Sequence, residues 1–500
     1  MNRFLSLAIF LFFTISIFAQ DKLAVNSHLK STVEELKDFI SLPNDALVPD
    51  DMNRNLEWLT EKFNQRGFST RIISTSNIPL FFAELKGQHK DAPTLLIYMH
   101  FDGQSVDPSK WDQKDPYQVV LKEKNGDQWK TLDWDNLKDE INPEWRLFGR
   151  STSDDKGPIV MLLNAIDMLK ADGVNIPVNL KVILDGEEEK SSKPLPQAVK
   201  ENRDLLKADV LMINDGPVHP SKKPTLVYGC RGITSMSVTT FGPIRPQHSG
   251  HYGNYAPNPG FRLFHLLGSM KDENGKVLID GYYDGIELDE KTQKVLRSVP
   301  DDVQALHKTL AIHSPETVGS FYQESLQYPS LNVRGIQSGW VGKKARTIVP
   351  EQATAEIDLR LVVETDGTRL KNLVKEHIKS KGYYIVDRLP TLEERMTYPL
   401  IAMVKEGSVT DAFRTDLDNP YGQWMEKVLR NTFNEDVVKI RTMGGTVPIA
   451  PFINALDIPA IILPVVNPDN NQHSPNENLR IGQITFGLQV FYNLLSTEIN

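Results

Sequence analysis

Cysteine is nearly absent: Cys230 stands alone among 500 residues, so no disulfide can form within the chain and its stability must come from packing. That thiol lies in Val-Tyr-Gly-Cys230-Arg-Gly at the end of an apparent strand, where a buried structural role is expected rather than a nucleophilic one. Long apolar runs are lacking as well. The stretch from Phe4 to Phe18 falls short of the roughly 20 residues needed to cross a bilayer. It follows Arg3 and ends at Ala19-Gln20-Asp21, which reads as a secretory signal over residues 1–19, with an uncleaved anchor as the alternative. No cysteine beside the cut offers a lipid anchor, so the mature protein is expected to be periplasmic or secreted and free of the membrane. Basic excess is missing too. Lys and Arg number 56 against 65 Asp and Glu, a net charge of −9 with no basic stripe, which argues against a nucleic-acid partner. There is no low-complexity tract or solenoid repeat, no HExxH segment, no GxSxG elbow and no phosphate-binding glycine loop, so several hydrolase and nucleotide chemistries lose their support.

What is present is an ordinary soluble composition, 40% hydrophobic and 24% charged, in a chain too long for one comfortable core. Ser31-x-x-Glu34 reads as a capping box, and Met52 to Phe63 as an amphipathic helix stopped by Gly67. Strand-like runs follow at Thr70–Ser74, Leu80–Leu85, Thr94–Met99, Val178–Leu184 and Val210–Ile213, with a helix from Lys156 to Leu169. Strands alternating with helices indicate an α/β sandwich on a mixed, largely parallel sheet. After Arg231-Gly232 the pattern becomes two-faced strands, Ile233–Phe241 and Ala353–Val363, around an amphipathic helix from Thr365 to Gly382. From about Asn419 the earlier alternation resumes. The organisation expected is a first catalytic segment at 20–231, an inserted α+β lid or dimerisation domain at 232–415, and a second catalytic segment at 416–500.

In parallel α/β sheets ligands gather at the carboxyl ends of strands. His100, the run Asp185 to Glu189, and Asp215 each fall just after an expected strand. Asp154-Asp155 precede a helix, and His473 lies in a distant polar loop. Singly, each has a plain reading: a hydrogen-bonded structural histidine, acids favoured by a helix N-terminus, a solvated turn, a surface-loop histidine. Together they amount to the imidazoles and carboxylates that a two-zinc hydrolase needs, including one carboxylate to bridge and one to accept a proton.

The motifs are specific. Met-His100-Phe-Asp102-Gly, Gly149-Arg150-Ser-Thr-Ser-Asp154-Asp155-Lys156-Gly157, Asp185-Gly-Glu187-Glu188-Glu189, Asn214-Asp215 and His473-Ser474-x-Asn476-Glu477 occur in that order. This resembles the dinuclear zinc peptidase family of carnosinase, cytosolic non-specific dipeptidase, acetylornithine deacetylase and glutamate carboxypeptidase, over essentially the whole mature chain. Tyr228-Gly-Cys-Arg231-Gly232 and Gln247-His248-Ser249-Gly250 look like the dipeptidase branch.

The resemblance implies two Zn2+ per subunit, with Mn2+ or Co2+ as alternatives. Asp154 would bridge them, His100 and Asp215 would complete one site, and Glu189 and His473 the other. Glu188 would be the general base, Glu187 being the choice one residue away, and Asp102 would orient His100. The Asp154–Asp155 peptide bond would be cis. His248 would reach into the partner subunit's site in a homodimer formed through the lid. Thr347, Arg360 and Thr446 would contact a short peptide, the guanidinium suiting its C-terminal carboxylate. Ser151 stands where the family usually has glycine, and Lys190-Ser191 where it has small residues; both bear on substrate preference. The expected activity is that of an exopeptidase for dipeptides or other short peptides. An N-acyl amino acid amidohydrolase or carboxypeptidase on the same site, and a non-catalytic metal or peptide binder, are the alternatives. Finally, Asp107 to Trp145 carries Trp111, Trp129, Trp134 and Trp145, either as a hairpin at the entrance or as packing on the domain.

Overall fold

The computed structural model describes residues 28–87, 91–138, 141–447 and 449–499. The signal segment read at 1–19 lies outside the described residues. The chain forms two compact units. The first holds the described residues up to Tyr228, Thr415–Lys439, and the chain from Pro451 onward; the second holds Gly229–Arg414 and Ile440–Ala450.

Among the described residues nine strands precede the second unit: β1 (Ser69–Ile73), β2 (Leu80–Leu85), β3 (Thr94–His100), β4 (Val120–Asn125), β5 (Gln128–Thr131), β6 (Arg146–Phe148), β7 (Asn179–Asp185), β8 (Val210–Ile213) and β9 (Thr225–Val227). Eight strands make the main sheet in the order β1-β2-β7-β3-β8, then Ala460–Ile462, β9 and Val438–Ile440. Its centre is parallel, β7, β3, β8 and Ala460–Ile462 running together, while β1, β2 and β9 run antiparallel to their neighbours. The sheet is therefore mixed with a parallel middle, as the strand–helix alternation implied. β3 and β8 are buried almost throughout, because a parallel strand is covered on both faces. Helices α1 (28–40), α2 (Pro49–Gln65) and α3 (Lys156–Ala171), with Pro420–Phe433 and Ile481–Ser496, share one apolar core with that sheet.

One local expectation fails. Ser31 is no N-cap: α1 is already helical at residue 28, and Ser31 Oγ donates to the His28 carbonyl at 2.8 Å. The Ser-x-x-Glu spacing is one helical turn, so it also arises inside helices, where the hydroxyl bonds back to the preceding turn.

A smaller antiparallel sheet joins Asn478–Arg480, β6, β4 and β5. The tryptophan-rich segment is thus a hairpin that also packs: Trp129 meets Phe148 edge-on with centroids 5.0 Å apart, and Trp111 lies 5.3 Å from the Arg150 guanidinium.

In the second unit five strands run in the order Ser330–Ser338, Gln352–Leu361, Gly232–Phe241, Ile401–Thr410, Tyr384–Val386. Gln352–Leu361 alternates buried and half-buried residues, the mark of a two-faced strand. Helices Pro259–Gly268 and Gly367–Ser380 share its core. Cys230 is fully buried here, and burial pushes its thiol up to about 12, which suits a structural role. Ile440–Ala450 groups with this unit, although it falls in sequence within the stretch read as the second catalytic segment. Met443 bridges to Cys230, and Arg441 Nη1 donates to Gln327. Among the described residues no helix is long and apolar enough to cross a membrane.

Candidate metal centre

β7, β3 and β8 lie side by side and parallel, so their carboxyl ends share one edge. β3 ends on His100, in register with Asp185 at the end of β7. Beyond β7 the chain turns at Gly186, where a Cβ would sit 2.5 Å from Ile78 and 2.8 Å from Phe101, into a short turn at Glu188–Lys190. Asp215 follows the end of β8. Asp154 and Asp155 stand immediately before α3, joined by a cis peptide bond.

The side chains converge. His100 Nε2 lies 2.9 Å from Asp154 Oδ1, and His473 Nε2 lies 3.1 Å from Asp154 Oδ2 and 3.4 Å from Glu189 Oε2. Two triads result, His100–Asp154–Asp215 and Asp154–Glu189–His473, each with one ligand atom per residue inside 4.8 Å of the others. Asp154 belongs to both.

A surrounding shell of hydrogen bonds fixes these groups. The Asp102 carboxylate accepts from Glu188 N at 3.0 Å and Glu189 N at 3.1 Å, while its backbone oxygen lies 3.2 Å from His100 Nδ1. One aspartate thus steadies both the histidine and the glutamate pair. Glu187 is taken up elsewhere, accepting from Asn77 Nδ2 at 2.7 Å and Ile78 N at 3.2 Å. Glu189 receives Gln104 Nε2 at 2.6 Å. The Glu188 carboxylate makes no hydrogen bond or ion pair among the described residues, which leaves it available for chemistry.

Glu477 stands in the His473-Ser474-x-Asn476-Glu477 motif, whose spacing alone assigns it no role. Its fully buried carboxylate accepts from the backbone N–H groups of Ser151, Ser153 and Asp154, each at 3.0 Å, and pairs with Arg150 Nη1 at 2.7 Å. The loop carrying Asp154 is therefore wound around Glu477. Ser151, standing in for glycine, adopts φ +65° and is held by Asn44 Nδ2 at 3.0 Å from its Oγ. Ser191, also in a position where small residues are usual, adopts φ +76°, and Lys190 Nζ reaches Ser105 Oγ at 3.2 Å.

Protonation follows from this crowding. Burial, then the neighbouring acids, push Glu188 well above the carboxylate range, Glu189 up to about 7 and Asp215 up to about 6. His473 rises to about 9 because Asp154 binds its protonated ring. For Asp154 burial favours the neutral form, but hydrogen bonds from His100 and His473 outweigh it and hold the carboxyl low. The cluster holds more carboxylates than its two imidazoles can balance, so protons supply the missing positive charge. Divalent cations would do the same at the two triads. The donor set of imidazole nitrogens and carboxylate oxygens fits them, and Asp154 Oδ2 is buried with only the His473 ring, 3.1 Å away, to face it.

The remaining assigned residues lie in the second unit and fall into two pairs. His248 lies opposite Ile348, and Ser249 N donates to the Thr347 carbonyl at 3.0 Å, so His248 and Thr347 are exposed neighbours. Arg360 Nη1 donates to Thr446 Oγ1 at 2.8 Å, and that hydroxyl donates to the Arg231 carbonyl at 2.7 Å.

A family model described as peptidase family M20/M25/M40 matches residues 96–497. The chain is similar to the Cys-Gly metallodipeptidase of Saccharomyces cerevisiae, 27% identical over 457 residues and 87% of each protein. It is similar to the Beta-Ala-His dipeptidase of Mus musculus, 24% identical over 491 residues, covering 93% of this chain and 92% of the other. The crystal structure of an M20 family metallo-carboxypeptidase from Sulfolobus solfataricus superposes with a TM-score of 0.74 at 25% identity, over 93% of this chain and 98% of that one.

Proposed function

This chain belongs to peptidase family M20/M25/M40, and from that premise we propose that it is a dinuclear zinc exopeptidase hydrolysing dipeptides and other short peptides. The observation that carries the reading is the pair of triads sharing Asp154 beside a glutamate whose carboxylate is otherwise unengaged. Its relatives support the substrate class, one named for Cys-Gly and another for Beta-Ala-His.

In this reading His100, Asp154 and Asp215 would hold one zinc ion and Asp154, Glu189 and His473 would hold the other. The metal pair, when bound, supplies the Lewis acidity that polarises a scissile carbonyl and acidifies water. Glu188 takes the proton from the attacking water and passes it to the leaving amine nitrogen. Asp102 keeps Glu188 in place through its backbone N–H and orients His100. Arg360 and Thr446 bind the substrate's C-terminal carboxylate; His248 and Thr347 bind the region of the scissile carbonyl, with His248 serving the partner subunit of a homodimer.

The test is release of free amino acids from Cys-Gly and β-Ala-His, set against N-acyl amino acids, with metal content measured on the same sample. Two metal ions per chain and dipeptide turnover are expected. Turnover of N-acyl amino acids alone would replace the reading with an amidohydrolase. We further propose export, resting on the signal-like residues 1–19; a mature N-terminus beginning after Ala19 in the periplasmic or medium fraction is expected, and retention of those residues would refute it. Sedimentation showing only monomer would remove the role given to His248.

A further inference from the structure

The second unit holds two arginines, Arg231 and Arg360, that no carboxylate pairs with directly among the described residues. Arg231 is 8% exposed, and its guanidinium makes one hydrogen bond, from Nη2 to the Tyr328 carbonyl at 2.7 Å. Its Nε is buried without a partner, and no carboxylate pairs with it among the described residues. Arg360 also lacks a carboxylate partner there, donating instead to Thr446. The contrast lies nearby: Arg414 and Arg441 share Glu364, at 2.6 and 3.8 Å. Asp358, on the same strand as Arg360, accepts from Asn332 Nδ2 at 2.9 Å and reaches Arg231 through its field alone, with no direct pair.

The two arginines without a carboxylate partner are linked through Thr446, which accepts from the Arg360 guanidinium and donates to the Arg231 main-chain carbonyl. Strand pairing sets Arg360 opposite Ile233, two residues beyond Arg231. Burial, and then the charge of Arg360, push the Arg231 guanidinium down to about 10. Removing a guanidinium from water without an anion is unfavourable, and fork-shaped donors match the two oxygens of a carboxylate. One carboxylate has lone pairs enough for two guanidinia.

We propose that Arg231 is a substrate-binding residue that forms, with Arg360 held in place by Thr446, a two-guanidinium cradle for the free C-terminal carboxylate of the peptide. The assignment rests on the exopeptidase reading above and adds to it a second cation that sets the demand for an unblocked C-terminus.

The test is calorimetric binding of alanylglycine and alanylglycinamide to metal-loaded, full-length Glu188→Gln protein, alone and combined with Arg231→Gln or Arg231→Lys. Arg231→Gln is expected to weaken alanylglycine about tenfold or more while leaving alanylglycinamide unchanged. Arg231→Lys keeps the charge but loses the fork, so an intermediate loss is expected, with a melting curve matching that of its parent. Equal weakening of acid and amide, or unchanged binding of the acid, would overturn the cradle. Failure of the peptidase reading is a separate result: wild-type enzyme that binds alanylglycine but releases neither alanine nor glycine from it.

Discussion

Replacing Glu477 with glutamine would change shape hardly at all and charge entirely. In the native loop the carboxylate accepts three backbone N–H groups and the Ser153 hydroxyl, and pairs with Arg150, all out of water. Glutamine keeps one oxygen but presents an NH2 group to donors and leaves the Arg150 guanidinium buried without an anion. Breaking one side of a buried pair costs about 3–5 kcal/mol. At about 2–4 °C per kcal/mol for a domain of 150–250 residues, the first unit should melt on the order of 10 °C lower. Asp154 would lose the backbone anchor that aims it at both imidazoles, so metal affinity should fall about 10–100-fold. Scanning calorimetry of metal-free protein reads the first effect, and zinc competition against a chromophoric chelator reads the second. Arg150→Met combined with Glu477→Gln should lose less than the two single losses added, since neither charge is then left alone. A Glu477→Gln protein that melts within a degree or two of wild type and holds metal as tightly would refute the reasoning.

Glu188→Gln should lower kcat about 10²–10⁴-fold with metal content and melting temperature unchanged, because its carboxylate anchors nothing among the described residues; near-normal turnover would remove it as the base. Dialysis against a strong chelator should abolish dipeptide hydrolysis, and zinc, manganese or cobalt should restore it; activity that survives complete metal removal contradicts the site. The pH dependence of metal-free protein has a definite sign. His473, raised to about 9, contributes stability that is whole below its ordinary value of about 6.5 and is lost as pH climbs through 9. Glu189, raised to about 7 by burial and then by Asp154, keeps in the folded state a proton that the unfolded chain releases near pH 4.3, so it too loses stability with rising pH. Metal-free melting temperature should therefore fall between about pH 5 and 9, while the gain on adding zinc widens, since cations need deprotonated ligands. A gain that narrows with pH would count against the ligand assignment.

How much of this was legible in the chain depends on distance along it. β3 and β8 could be read because a strand covered on both faces is nearly all apolar, and the acids and His100 stood out by falling at strand ends. The run of three glutamates could not assign itself. It takes Asn77 and Ile78, from the connection between β1 and β2, to draw Glu187 aside. Glu477 was visible as a residue but not as a hub, since nothing local shows which acid a loop more than three hundred residues earlier will wrap. The Arg360–Thr446 bond is hidden for the same reason. Ser31 misled in the opposite way, because a local pattern was present and the helix had begun before it.

The interruption of the first unit sets an order of events during synthesis. β9 pairs between Ala460–Ile462 and Val438–Ile440, so it has no neighbour in the sheet until the chain has run through Gly229–Arg414 and beyond. The last imidazole, His473, emerges later still. A half-translated chain therefore lacks the triad Asp154–Glu189–His473, and one released early exposes an unsealed sheet flank of the kind that invites aggregation. Both triads can be complete only near the end of translation, after most of the chain has been built.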